Sequence, residues 1–136
     1  MAFKFTFREE PSSMFGSVHR PYAPVLFWSE KRKRWLRVFM LVDTGADYTI
    51  LPKRYANRLG INLSEDTARR STSGVGGSTA IYILRNTIRA KINTWERKVP
   101  LGILDSNSIP PLLGRQGFLE TFKVTFHKHV TIFEDK

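Results

Sequence analysis

A chain of 136 residues, 41% of them hydrophobic and with a mean hydropathy of −0.28, has the size and composition of one globular domain, able to bury roughly two-thirds of its unfolded surface. No apolar run approaches the roughly 20 residues needed to span a membrane, and the absence of cysteine excludes disulfides, thiolate nucleophiles and thiolate-ligated zinc. A formal charge of +10 points to an acidic partner without choosing among nucleic acid, acidic lipid and acidic protein.

The first residues, MAFKFTFREEP, contain no signal-peptide apolar region and no small-residue cleavage site, which predicts a cytoplasmic address. Phe3, Phe5 and Phe7 alternate with Lys4, Thr6 and Arg8, the period of a strand with one buried face. Residues 9–24 carry Pro11, Ser12, Ser13, Gly16, Pro21 and Pro24, which predicts an irregular surface connection. Residues 25–28 and 35–42 read as the two strands of a β-hairpin with a basic tip, SEKRKR. Lys31, Arg32, Lys33, Arg34 and Arg37, with Trp28 and Trp35 alongside, have the makings of a phosphate track with aromatics for bases to stack on. A solvated hairpin end is the preferred reading of these residues, because charge blocks are usually solvated.

The second of these strands runs into LVDTGADYTILP. Residues 39–42 form a continuous apolar run, and Asp43, Thr44 and Gly45 interrupt it with residues that favour a turn over a strand interior. Asp43 is therefore expected at a strand end, with Ile50 and Leu51 returning to the core. DTGA after hydrophobic residues, with ILP shortly beyond, resembles the catalytic loop of the retropepsin-like aspartic proteases, the clan that includes the retroviral proteases.

Beyond Leu51, PKRYANRLG places Pro52 at a first helical position and Gly60 at a stop, predicting a short helix. Residues 71–79 are small and glycine-rich, and residues 80–84 are strand-like. A phosphate loop is disfavoured because a β-branched stretch follows instead of a helix, and a nucleophile elbow lacks its final glycine. In the resemblance this segment lies where the substrate-covering flap belongs, with Val75, Gly76 and Gly77 as substrate-binding residues at its tip. Residues 86–92 and 99–104 read as strands. Then Leu112, Leu113, Gly114 and Arg115, followed by a predicted amphipathic helix over 116–122, resemble the second signature of the same family, whose glycine lets its strand pass close to the catalytic loop. Gln116 departs from the Asp or Asn that often follows the arginine. Residues 124–126 and 130–133 are expected to pair across His127, Lys128 and His129; the two histidines read as exposed turn residues, and no third ligand at a known spacing suggests a metal.

The resemblance implies a mainly β, closed retropepsin-like barrel with a flap hairpin and one or two short helices. It implies one domain over residues 1–136, with an N-terminal strand and irregular extension (1–24), a protease core (25–126) and a C-terminal strand (127–136). Peptide hydrolysis by aspartates needs two carboxylates in contact, and this chain holds a single DTG. Two copies about a two-fold axis would bring Asp43 against its counterpart, where carboxylates about 3 Å apart share one proton and activate a water. A homodimeric aspartic endopeptidase without metal or cofactor, acting on peptide or protein and favouring mildly acidic pH, is therefore the expectation. By position in the resemblance, Thr44, Gly45 and Ala46 complete the active-site loop, Leu112 to Arg115 support it, and Asp47 pairs with Arg115 and either contacts substrate backbone as well or serves only as a structural ion pair. The alternatives are a non-catalytic module gripping extended peptide on the same fold, or a basic nucleic-acid-binding protein.

Overall fold

The computed structural model describes residues 1–74 and 77–135. The chain opens with β1 (Ala2–Thr6), β2 (Arg8–Ser12) and β3 (Gly16–Arg20), and continues with β4 (Tyr22–Ser29), β5 (Arg34–Val42) and β6 (Thr49–Pro52). The helix α1 (Arg54–Leu59) is followed by β7 (Thr67–Gly74), β8 (Gly77–Leu84), β9 (Ile88–Ile92) and β10 (Trp95–Val99). The last elements are β11 (Leu101–Leu104), β12 (Leu112–Leu113), a 3₁₀ turn (Leu119–Thr121), β13 (Phe122–His127) and β14 (Val130–Asp135). The mainly β expectation with one or two short helical segments holds.

These strands form a nine-stranded sheet in the order β10-β9-β4-β5-β12-β6-β11-β8-β7, a three-stranded sheet β1-β14-β13 and a two-stranded ribbon β2-β3. The larger order has two ends, β10 and β7. Alternation drives it: in β4, Ala23, Val25 and Phe27 are fully buried while their neighbours face outward, and in β5, Leu36, Val38 and Met40 do the same. Their apolar side meets Leu51, Leu101, Ile103, Leu113, Phe118 and Phe133 in a common core. Burying a side chain such as Phe118 or Phe133 contributes about 1.5–3 kcal/mol.

Two pairings are parallel and link segments far apart in the chain. Leu101 to Leu104 run beside Thr49 to Pro52, and Leu112 and Leu113 run beside Leu41 and Val42. The second holds the end of β5 in place.

Four expectations need correction. The stretch 9–24 is a regular ribbon running into β4, not an irregular extension. Pro11 is tolerated because a two-stranded ribbon has free edges, and Pro24 because β9 reaches only Leu26 and Phe27, leaving no ladder to break on that side. Pro52 ends β6, and the helix begins after it at Arg54. The expected strand over 99–104 is divided at Pro100 between β10 and β11. The amphipathic helix over 116–122 contracts to a single 3₁₀ turn, although Phe118, Leu119 and Phe122 are all buried. Gly117 sits at a left-handed φ of 73°, which an α-helix cannot contain.

At the far end, Lys128 and His129 both take positive φ and close the β13–β14 hairpin, while His127 is the last residue of β13. His129 stacks on His19 with ring centroids 4.0 Å apart, so it is a docking contact for β3 as well as a turn residue. No helix among the described residues is long and apolar enough to cross a membrane.

Candidate active site

Strand β5 ends by placing Asp43 half-buried at the head of a tight turn. The Asp43 N–H donates to the Leu113 carbonyl (3.0 Å), so β12 fixes the residue's backbone. Its carboxylate Oδ1 accepts the Gly45 N–H at 2.9 Å, and its carbonyl accepts the Ala46 N–H at 3.1 Å. Asp43 thus closes its own turn, the local geometry for which Asp is favoured over other strand-ending residues. An added Cβ at Gly45 would lie 3.3 Å from that Oδ1, tighter than ordinary contact.

The segment from Gly114 to Gln116 clamps this loop from behind. The Arg115 and Gln116 N–H groups donate to the carbonyls of Ala46 (3.0 Å) and Asp47 (2.8 Å). The Arg115 guanidinium then reaches forward, Nη1 to the Thr44 carbonyl at 2.5 Å and Nη2 to Asp47 Oδ1 at 2.6 Å. The carboxylate is 80% exposed and the guanidinium 44%, so this ion pair adds little to global stability and serves mainly to set the loop's shape. The expected Asp47–Arg115 pairing is present.

Gly114 makes this approach feasible. A Cβ there would meet the Tyr48 carbonyl carbon and oxygen at 2.3 Å, closer than any side chain can tolerate. Its N–H donates to Thr49 Oγ1 at 3.2 Å, and Thr49 is fully buried. Thr49 and Tyr48 were not among the residues singled out from sequence; the signal for Thr49 was a lone hydroxyl at the start of an apolar strand. Burial, with the Asp47 carboxylate adding to it, pushes the Tyr48 phenol above its ordinary value.

The expected loop residues Asp43, Thr44, Gly45, Ala46 and Asp47 are therefore brought together with Leu112, Leu113, Gly114 and Arg115. Gly77 lies apart from them, exposed at the start of β8 and in register with Gly74 across the β7–β8 hairpin. Val75 and Gly76 fall outside the described residues. Among the described residues, no group of three or more His, Asp or Glu side chains is placed to hold a metal ion. The concavity beside the loop, lined by Asp47, Tyr48, Arg115, Gln116 and Glu120, is a shallow pocket of about 380 Å³. Among the described residues, the Asp43 carboxylate stands on a loop held by hydrogen bonds from Arg115 and Gln116.

Residues 36–120 match the family described as "gag-polyprotein putative aspartyl protease". Among solved structures, the fold is similar to that of a retropepsin-like aspartic protease from Rickettsia conorii, with a TM-score of 0.67 and 21% identity, covering 96% of this chain and 98% of that one. It is also similar to the EIAV protease in complex with the inhibitor HBY-793, with a TM-score of 0.53 and 25% identity over 71% of this chain and 82% of that one. No curated protein sequence matches.

Proposed function

We propose that this chain, which belongs to the gag-polyprotein aspartyl protease family, is an aspartic endopeptidase assembled from two copies of itself, each supplying one Asp43 to a shared catalytic pair. The observation that carries this reading is the clamped DTG turn: a single half-buried carboxylate, held at its backbone by Leu113 and at Oδ1 by Gly45, on a loop that Arg115 braces from behind. Hydrolysis of an amide needs one carboxylate to take a proton from water and another to polarise the carbonyl. A single chain with one such turn has half of that requirement, and a two-fold axis through the turn supplies the rest.

In this reading the two carboxylates share one proton, because like charges in contact do not both ionise readily. The water between them attacks the scissile carbonyl carbon as its proton passes to the ionised carboxylate, and the protonated carboxyl donates to the developing oxyanion. No covalent intermediate forms. Thr44 and Gly45 lie at the axis, Gly45 and Ala46 offer backbone groups to an extended peptide, and Asp47, held by Arg115, borders the substrate channel. The β7–β8 hairpin is the flap that covers substrate, with Val75, Gly76 and Gly77 as its substrate-binding residues. The whole of residues 1–136 acts as one domain, consistent with a hydrophobic cluster that runs from Ala23 to Phe133.

Asp43→Asn is the direct test, since it keeps the shape of the turn and removes the charge. The variant should remain folded and dimeric and lose cleavage of a peptide library at mildly acidic pH. Cleavage at the wild-type rate by that variant would reject the mechanism.

A further inference from the structure

The proposed peptide hydrolysis leaves the net charge of +10 without a role, and Arg37, Arg89, Lys91 and Lys98 share one surface. In β4, β5, β9 and β10 the inward residues form the core, so the alternate residues stand together on the outward face of the sheet. The register sets them side by side: Trp28 opposite Trp35, Leu26 opposite Arg37 and Lys91, Pro24 opposite Phe39. Arg89 and Lys91 face Lys98 and Glu96 across the β9–β10 pair.

Aromatic rings and cations interleave on this face. The Arg89 guanidinium lies 5.2 Å from the Trp28 ring and 5.0 Å from the Trp35 ring, and the Lys91 ammonium lies 4.3 Å from the Trp35 ring. Arg37 lies 5.3 Å from the ring of Phe39, which is 50% exposed although it is a large apolar side chain. The two indoles meet edge to face at 5.3 Å. Among the described residues, Glu96 is the sole carboxylate at these outward strand positions and is engaged by Arg89, with Lys91 and Lys98 adding to the field that lowers its carboxyl, whereas Arg37 forms no ion pair. Trp28, Arg89 and Lys98 also line a cleft of about 800 Å³ together with Leu59, Ile61 and Leu84 and the carboxylates Glu30, Glu65 and Asp66, and the Trp28 indole N–H donates to Glu30 at 2.5 Å.

We infer that this face is a binding platform for single-stranded nucleic acid. Cations at the spacing of a strand ladder follow a phosphate backbone, while ring faces and the planar guanidinium of Arg89 take unpaired bases by stacking. A duplex buries its bases and offers nothing for these rings to stack on. An acidic peptide would satisfy the cations and leave the aromatics without a role. The hairpin tip, which sequence alone suggested as the contact, is partly engaged elsewhere: Arg32 donates to the Asn57 carbonyl at 2.7 Å and Lys33 lies 3.7 Å from Glu30. The tryptophan end of the platform is the end of β5 remote from Asp43, with Trp35 eight positions before it, about 25 Å along the strand, and Phe39 four positions before it. Binding there leaves the catalytic loop open.

The test is fluorescence anisotropy of a labelled oligouridylate of about 12 nucleotides with the full chain, across a range of potassium chloride concentrations. The wild-type chain should bind, with a slope of log affinity against log salt of about −2 to −3, three to four phosphates at about −0.7 each. Charge reversal at the exposed Arg37 and the half-buried Lys91, Arg37→Glu with Lys91→Glu, should weaken binding more than about tenfold and flatten the slope by about 1.4. Trp35→Ala should weaken it about tenfold with the slope unchanged, the signature of lost stacking. Absence of binding at low salt, or a charge-reversed chain that is folded by circular dichroism and binds as wild type does, would overturn the proposal. So would displacement of the oligonucleotide by polyglutamate at equal charge concentration, which would assign the face to an acidic protein.

Discussion

Gly114 and Tyr48 are packed so closely that a methyl group on the glycine would lie 2.3 Å from the tyrosine's carbonyl oxygen. The obstructing atoms are backbone, which side-chain rotation cannot relieve. Gly114→Ala must therefore push β12 away from the Asp43 turn, at a cost of about 3 kcal/mol or more. Urea denaturation should show a lower midpoint at an unchanged slope; a midpoint equal to that of the wild type would mean the approach is looser than described.

Arg115 braces the loop through a fork with two arms, one to the Thr44 carbonyl and one to Asp47. Lysine keeps the charge and cannot span both acceptors. Arg115→Lys should change stability by less than about 1 kcal/mol, since the pair is largely exposed. Its kcat/KM should fall by about 100-fold, the expected effect of a catalytic group displaced by about an ångström. Wild-type kcat/KM in this variant would show that the fork does not position the turn.

The hydroxyl of Thr49 accepts the Gly114 N–H inside the core. Thr49→Val preserves the shape and leaves that N–H unpaired, which should cost about 1–3 kcal/mol. Thermal or chemical denaturation of the variant measures it, and an unchanged or improved stability would show that the N–H finds another partner.

Burial first, and the Asp47 charge second, raise the Tyr48 phenol above its ordinary value. The folded chain therefore holds this proton more tightly than the unfolded chain does. The resulting stability is complete below about pH 10, the ordinary range for tyrosine, and is lost as pH rises through the folded value. The ultraviolet titration difference between wild type and Tyr48→Phe isolates this phenol, and ionisation at or below its ordinary value would contradict the placement.

The parts of the site legible in the sequence are those where chemistry permits few residues. DTG marks a carboxylate at a strand end, and the glycine of LLGR marks a close passage of backbone that no other residue allows. What was not legible depends on partners remote in the chain. Nothing local to Leu113 indicates that it lies beside Val42, and Thr49 gains its role only once Gly114 arrives. The ribbon of β2 and β3 was hidden by Pro11 and Gly16, read as breakers, whereas Gly16 makes the turn and Ser12 Oγ accepts the N–H groups of Met14 and Phe15. At residues 116–122 the apolar spacing correctly marked buried side chains, but Gly117 decided the backbone.

In the proposed mechanism one Asp43 from each of two chains forms the catalytic pair. The most direct measurement is the activity of wild-type chain refolded together with an excess of Asp43→Asn chain, expressed per wild-type chain. With about a nine-fold excess and random pairing, only about a tenth of wild-type chains find a wild-type partner in a two-fold dimer. Activity per wild-type chain should accordingly fall to about a tenth of its value alone. Activity that stays constant as the inactive chain is added would show that each chain carries a complete site, and would contradict the account.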